Sequence, residues 1–217
     1  MSRLVVWACA VPAAAALVLA GARPAQAQSP QAAPAPAAPE PPAGCCRFSV
    51  RFDPFQLIFR RAALEAEVKI TGPFSVGLAP AWIWGGNNAN LDEQGFQLLG
   101  FAAWTFYGTA LRGFWVRAVG GFEAFDATLT HPDFEDVKVK RGIATGIFGL
   151  MVGDSVVFGQ NGGFALSGGI GAGVATSDPI EIVAPSPDAD VPAARATYYQ
   201  DASRVKLLGT LGVGLTF

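Results

Sequence analysis

The 217-residue sequence predicts an all-β protein, a closed antiparallel barrel of eight strands that crosses a lipid bilayer. Two observations carry that prediction. The last thirteen residues alternate in polarity, with Val205, Leu207, Leu211, Val213, Leu215 and Phe217 on one face and Lys206, Thr210, Gly212, Gly214 and Thr216 on the other. An oily face that ends with the chain has no following segment to cover it, so lipid is the natural cover. Upstream, seven further segments alternate over lengths suited to tilted membrane strands, roughly 9 to 11 residues, and none after the amino-terminal leader has the ~18 apolar residues of a helical span.

The leader comes first. Ser2 and Arg3 precede an Ala/Leu/Val run from Leu4 to Ala22, and Ala25-Gln26-Ala27 has the small-x-small form of a signal-peptidase site. Residues 1–27 are therefore read as a signal peptide, with an uncleaved anchor as the competing reading. Residues 28–46 form a Pro/Ala tract without the means to build a core, expected as an extended periplasmic spacer. Residues 47–217 are the barrel. Cleavage removes Cys9 and leaves Cys45 and Cys46, which are adjacent and lack zinc-ligand spacing. A vicinal disulfide, mixed oxidation and an intermolecular bridge stay open for them. Ala43-Gly44-Cys45 imitates a lipoprotein signal, but Pro41 and Pro42 stand where an apolar run is needed.

The strands follow in order. Ser49 to Phe59 is the first, with Phe55, Leu57 and Phe59 facing out, and Leu64 to Ile70 sets Leu64, Ala66, Val68 and Ile70 against Glu65, Glu67 and Lys69. Phe74 to Trp84 turns Phe74, Val76, Leu78, Trp82 and Trp84 outward, with a bulge expected at Pro80. Phe96 to Tyr107 is apolar on both sides, which leaves its register open. In Leu111 to Asp126, turning Arg117 and Glu123 inward sends Phe114, Val116, Ala118, Phe122 and Ala124 outward. Gly142 to about Val152 is the sixth, with its end unfixed before Phe158. Phe164 to Thr176 and Val205 to Phe217 complete eight.

Connections alternate in length. Thr71-Gly72-Pro73, the turn at Gly108 and Thr109, and Gly159 to Gly163 are short; Gly85 to Gly95, Ala127 to Lys140 and Ser177 to Ser203 are long. Outer-membrane barrels have short periplasmic turns and long external loops, which would put both termini in the periplasm. Two aromatic girdles then result: Phe74, Trp104, Phe106, Phe114, Phe164 and Phe217 near the periplasmic interface, and Trp82, Trp84, Phe96 and Phe122 near the outer one. A soluble barrel of lipocalin type would need the bulky faces inside and the glycine-rich faces in water.

The terminal segment resembles the carboxy-terminal assembly signal of Gram-negative outer-membrane barrels through Thr210, Gly212, Leu215 and Phe217. With the strand number and girdles, the whole resembles the small eight-stranded family of the OmpA transmembrane domain and OmpX. The stretch from Pro54 to Trp84 also resembles small barrel proteins of Gram-negative bacteria. That resemblance implies the outer membrane as location, outer-membrane lipid and lipopolysaccharide as surroundings, and the barrel-assembly machinery as a partner of the last strand.

Mid-strand charges should point inward, because Arg or Lys facing lipid at the midplane costs about 2 to 4 kcal/mol. Glu65, Glu67, Lys69, Arg117 and Glu123 are thus expected to share a lumen narrow enough to be filled by side chains, with Arg117 pairing Glu65 or Glu67. The network is either a satisfied structural one or an ionic gate. Glycines 169, 171 and 173 are expected opposite Gly212 and Gly214; their G-x-G spacing precedes no helix and so does not mark a nucleotide site. His131, the only histidine, falls in an expected solvated loop beside Asp133, Glu135 and Asp136 with no nucleophile fixed nearby, which argues against a lipid-modifying or proteolytic enzyme. The loop carrying Asp178, Glu181, Asp188, Asp190 and Asp201 lacks a calcium-loop pattern and is expected to be mobile and solvated. No cofactor or metal is expected, and a formal charge of -2 gives no reason for nucleic acid. The expected role is structural or surface-interactive, with a narrow solute channel as the alternative.

Overall fold

A computed structural model describes residues 47–86, 90–159 and 161–217. The expected signal peptide, spacer and cysteine pair lie outside the described residues. The strands are β1 (Phe48–Asp53), β2 (Arg61–Thr71), β3 (Phe74–Trp84), β4 (Leu91–Thr109), β5 (Arg112–His131), β6 (Phe134–Phe158), β7 (Gly163–Ala175), β8 (Ile180–Ala184), β9 (Ala194–Tyr198) and β10 (Val205–Thr216). Eight of them close on themselves as an antiparallel ring in the order β1-β10-β7-β6-β5-β4-β3-β2, while β8 and β9 form a separate hairpin. No described helix is long and apolar enough to cross a membrane.

Alternation decides which face is which. Along β3, Ser75, Ala81 and Ile83 are buried while Phe74, Val76, Leu78, Trp82 and Trp84 are exposed; β5 likewise buries Trp115, Arg117, Val119 and Glu123 and exposes Phe114 and Phe122. Charged, polar and small side chains fill the interior together with Phe101, Trp115, Val119, Ile147 and Met151, and the other bulky apolar side chains of the wall face outward. β4 resolves its ambiguity the same way, with Gln97, Phe101, Ala103 and Thr105 inward and Phe96, Trp104 and Phe106 outward. Around one end, carrying the short turns and Phe217, lie Phe74, Trp104, Phe106, Phe114 and Phe164, all exposed; the pair Trp82↔Phe96, with Trp84 and Phe122, lies toward the opposite, loop end.

Several expectations are corrected. The first strand stops at Asp53, because Asp53 accepts from the backbone N–H of Phe55 and Gln56 and Pro54 follows as the first helical residue. Residues Pro54–Phe59 form a 3-10 helix, η1, closed by Arg60 at φ 55. Its interruption inverts the phase of the strand: Phe48, Val50 and Phe52 face out and Arg51 faces in. Pro80 makes no bulge, since Ala63↔Ala81 and Ala66↔Leu78 keep one register across it. Glycines 169, 171 and 173 pair with Thr210, Leu208 and Lys206; Gly212 and Gly214 pair with Ser167 and Ala165.

The largest correction concerns the loops. Residues expected as a long loop after Asp126 continue β5 and β6 into a projecting hairpin with a tight turn at Pro132 and Asp133. The longest loop is likewise folded. Its β8–β9 hairpin packs against β5 and β6, and Ile182, Ala184 and Tyr199 join Ile83, Phe125, Ala127, Leu129 and Ile143 in a buried apolar cluster at the loop end. The chain's alternation of apolar residues persists past the barrel wall here, so these extensions bury a second core rather than float in solvent. His131 belongs to that packing: it is buried, packs at a tilt against the Phe134 ring, accepts at Nδ1 from the Asp133 N–H, and has Nε2 3.1 Å from the Pro192 carbonyl oxygen.

Candidate functional site

Inward parity on four strands brings the charged residues into the interior, in two groups rather than one. Arg51 on β1 contacts Glu65 at 2.5 Å and also Glu67, both on β2. Arg117 on β5 reaches the same two carboxylates, at 3.1 Å to Glu65 and 2.8 Å to Glu67. The Ser75 hydroxyl donates to Glu67 at 2.6 Å. Two guanidiniums thus face two carboxylates, so the buried group is formally neutral. Around it, the Arg117 guanidinium lies 4.3 Å from the Phe101 ring centre and 4.0 Å from that of Trp115. Glycines make that packing possible: a Cβ at Gly77 would meet Phe101 at 2.2 Å and one at Gly169 would meet Trp115 at 2.4 Å. Trp115 Nε1 donates to the Ser155 hydroxyl at 2.9 Å, which completes a dense plug in the half of the barrel nearer the short turns.

Glu123 stands apart, nearer the loop end. It is fully buried and accepts from Lys206 at 2.9 Å, Tyr199 at 2.8 Å, Arg61 at 3.3 Å and Gln97 at 3.4 Å. Lys206 also lies 4.8 Å from the centre of the Tyr199 ring. Tyr199 reaches this carboxylate from the segment after β9, so the folded loop is tied to the barrel interior. Burial and the Glu123 carboxylate hold the Tyr199 phenol above its usual range; burial and Glu93, which accepts a hydrogen bond from the Tyr198 hydroxyl, do the same for Tyr198.

Of the residues expected to share one network, Glu65, Glu67 and Arg117 come together, and Glu123 joins different partners. Lys69 has the same inward parity but sits at the turn end of β2, and makes no ion pair with either group among the described residues. Sequence reasoning missed Arg51, Arg61, Lys206 and Tyr199. Lys206 was legible from its inward position in the terminal strand; Arg51 was hidden by the inverted phase of the first one.

Between the two charged groups lies a cavity of about 490 Å³. Its lining combines Arg61, Glu65, Arg117, Glu123 and Lys206 with Phe55, Phe101, Val119, Ile147 and Met151. No group of His, Cys, Asp or Glu among the described residues is placed to hold a metal ion. Of the expected assembly-signal residues, Thr210 lines this cavity, Gly212 packs on the Arg51 stem, Leu215 is exposed, and Phe217 stacks on Phe48 while exchanging both backbone hydrogen bonds with it. Compared with protein-family models, with curated proteins and with solved structures, the chain gives no match.

Proposed function

We propose that the chain is an integral outer-membrane β-barrel whose role is structural or surface-interactive, with its external extensions as the recognition surface. The observation that carries this reading is the inversion of the usual packing. Leu, Val, Ile, Phe and Trp side chains cover the outer face of all eight barrel strands, with aromatic residues at both ends, while the middle holds buried ion pairs and serines packed with Phe101 and Trp115. Burying each such side chain is worth roughly 1.5 to 3 kcal/mol, so this exterior is stable in hydrocarbon and strongly disfavoured in water. A closed ring also satisfies its backbone internally, which a lipid surround requires. The turn end would face the periplasm and the projecting β5–β6 and β8–β9 hairpins the exterior, where they offer a folded polar surface above lipopolysaccharide.

The narrow-channel alternative has less support. Arg51, Arg117, Phe101 and Trp115 occupy the cross-section on one side of the cavity, and Tyr199, Ile83 and Phe125 pack on the other. The test is reconstitution into phospholipid vesicles and planar bilayers. Expected are insertion with the external hairpins alone open to added protease, and no reproducible single-channel steps. A monodisperse, folded protein in detergent-free buffer would overturn the membrane reading; stepwise conductance would replace a filled interior by a pore.

A further inference from the structure

The ring is closed unevenly. β1 pairs with β10 only from Ser49↔Thr216 to Phe52↔Val213, while β10 runs on to Val205 and pairs with β7 along its whole length. The stretch Val205–Gly212, about 27 Å of strand at roughly 3.4 Å per residue, therefore has no strand on its β1 side among the described residues. Its neighbour there is η1. Phe217 and Phe48 exchange both backbone hydrogen bonds, so by alternation Leu207, Gly209 and Leu211 aim their N–H and C=O groups at this gap. The Gly209 carbonyl accepts from Gln56 Nε2 at 2.8 Å. One side-chain bond from a six-residue 3-10 helix thus stands where a strand would supply a ladder.

The cavity opens along this gap. Five consecutive residues, Leu207 to Leu211, line it, which is possible only if the strand is seen edge-on. Its lining also includes Leu64, Ile170, Leu207 and Leu211, all on the outer face and 47% to 78% exposed, together with the inward Glu65, Arg117 and Glu123. An intact wall would keep these two sets apart. The cavity therefore passes through the wall.

Its chemistry is graded. Apolar side chains dominate at the outer face and beside Phe55. Deeper in, Arg61 and Lys206 share one carboxylate, Glu123, and their side chains remain 21% and 28% exposed. The other lining carboxylates are engaged: Asp53 with the η1 N–H groups, Glu93 with Tyr198, Glu65 with Arg51 and Arg117. Arg61 has five N–H donors and places one on Glu123. Arg117 Nε, buried and without a partner among the described residues, belongs to a side chain that lines the same space. Cationic side chains with N–H donors to spare, behind an apolar doorway and beside carboxylates that already have partners, match one ligand class.

We infer that the gap between η1 and β10 is a lateral doorway through which a single-chain amphiphile with an anionic head enters from the bilayer, its head on Arg61 and Lys206 and its chain along Leu64, Ile170, Leu207 and Leu211. The inference rests on the membrane reading above, and the test separates the two. Full-length protein is inserted into phosphatidylcholine vesicles and titrated with photoreactive hexadecanoate and, separately, photoreactive lysophosphatidate; hexadecanol carrying the same photoreactive group is the neutral control. Expected is saturable labelling by at least one anionic probe, mapping to peptides within residues 55–64 or 205–211, with the neutral control at least 10-fold weaker. Arg61→Gln with Lys206→Gln should weaken the anionic probe at least 10-fold while leaving insertion intact, and Arg195→Gln in the β8–β9 hairpin should leave binding unchanged. Inserted protein labelled by neither anionic probe, or equally by hexadecanol, overturns the doorway and leaves the membrane reading standing; failure to insert at all overturns the membrane reading itself. If the double variant does not insert, Lys206→Gln alone takes its place under the same criterion.

Discussion

Replacing Arg51 tests the interior reading most directly. Arg51 is 1% exposed and contacts two carboxylates, and together with Arg117 it makes a neutral buried group of two positive and two negative charges. Arg51→Met keeps much of the side-chain volume and leaves a net negative charge inside the barrel. Breaking a buried pair by removing one partner costs about 3 to 5 kcal/mol, mostly because the remaining charge stays desolvated. Removing the excess as well, in Arg51→Met with Glu65→Gln, leaves Arg117 with Glu67 as a balanced pair. The double variant should therefore be less destabilised than the sum of the singles by about 1.5 kcal/mol or more, within the range seen for contacting residues. Urea unfolding in phosphatidylcholine vesicles, followed by tryptophan fluorescence, measures all four proteins. Salt should change the coupling little, since buried pairs are poorly screened. If Arg51→Met lies within about 1 kcal/mol of the parent, or the two substitutions simply add, the charges are solvated and the plugged interior is wrong.

Other consequences are as specific. Tyr198 and Tyr199 hold their protons above the usual tyrosine pKa of about 10, so the folded state keeps protons that the unfolded chain loses; stability present below that pH should decline as pH rises beyond it. Absorbance at 295 nm should show Tyr198 and Tyr199 ionising at a higher pH in the folded protein than in denaturant; the same titration of these two in both states would refute the tyrosine contacts with Glu93 and Glu123. Asp53→Ala removes the acceptor for two η1 N–H groups and should cost about 1 kcal/mol in the same urea assay, with faster hydrogen exchange at Phe55 and Gln56; unchanged exchange would show that η1 is held by other contacts. His131→Ala should loosen the segment at Pro192, giving faster proteolysis there with barrel unfolding unchanged; equal cleavage rates would return His131 to the role of a bystander.

Much of the barrel was legible because its signal is local. Two-residue periodicity is a property of adjacent positions, so β2, β3, β5, β7 and β10 could be phased from single charges and from glycine-rich faces without knowledge of their neighbours. β1 shows the limit of that method. Its apolar residues Phe52, Phe55 and Phe59 span a change from strand to 3-10 helix, and averaging one alternation across Asp53 and Pro54 reverses the inside and outside of Arg51. The loop extensions were missed for a different reason. Leu129, Ile182 and Tyr199 are sparse apolar positions among charges and prolines, and their common core exists only when the β8–β9 segment is brought onto strands far from it in the chain. Register between strands is equally non-local, which is why glycines 169 to 173 were set against the wrong partners and why Glu123 was grouped with Arg117 instead of Lys206.

The two non-local features have one physical connection. A strand held to its neighbour by four ladder pairs and the Phe48–Phe217 exchange is a short closure for a ring, and β1 is that strand. Arg51 sits in the middle of it and points away from the seam, into carboxylates on β2 that Arg117 shares from β5. The short strand, laddered along its other edge to β2 by six residue pairs, is thereby also tied across the interior to β5 through the shared carboxylates. Such an anchor lets the gap beside η1 stay open without loosening the ring, since the bonds that fix β1 do not involve Val205–Gly212. Arg51→Met should then speed backbone exchange at Phe52 and Val213, the last pair of the seam, far more than at the β5–β6 ladder. Equal acceleration in both places would mean that Arg51 supports the whole wall and latches nothing in particular.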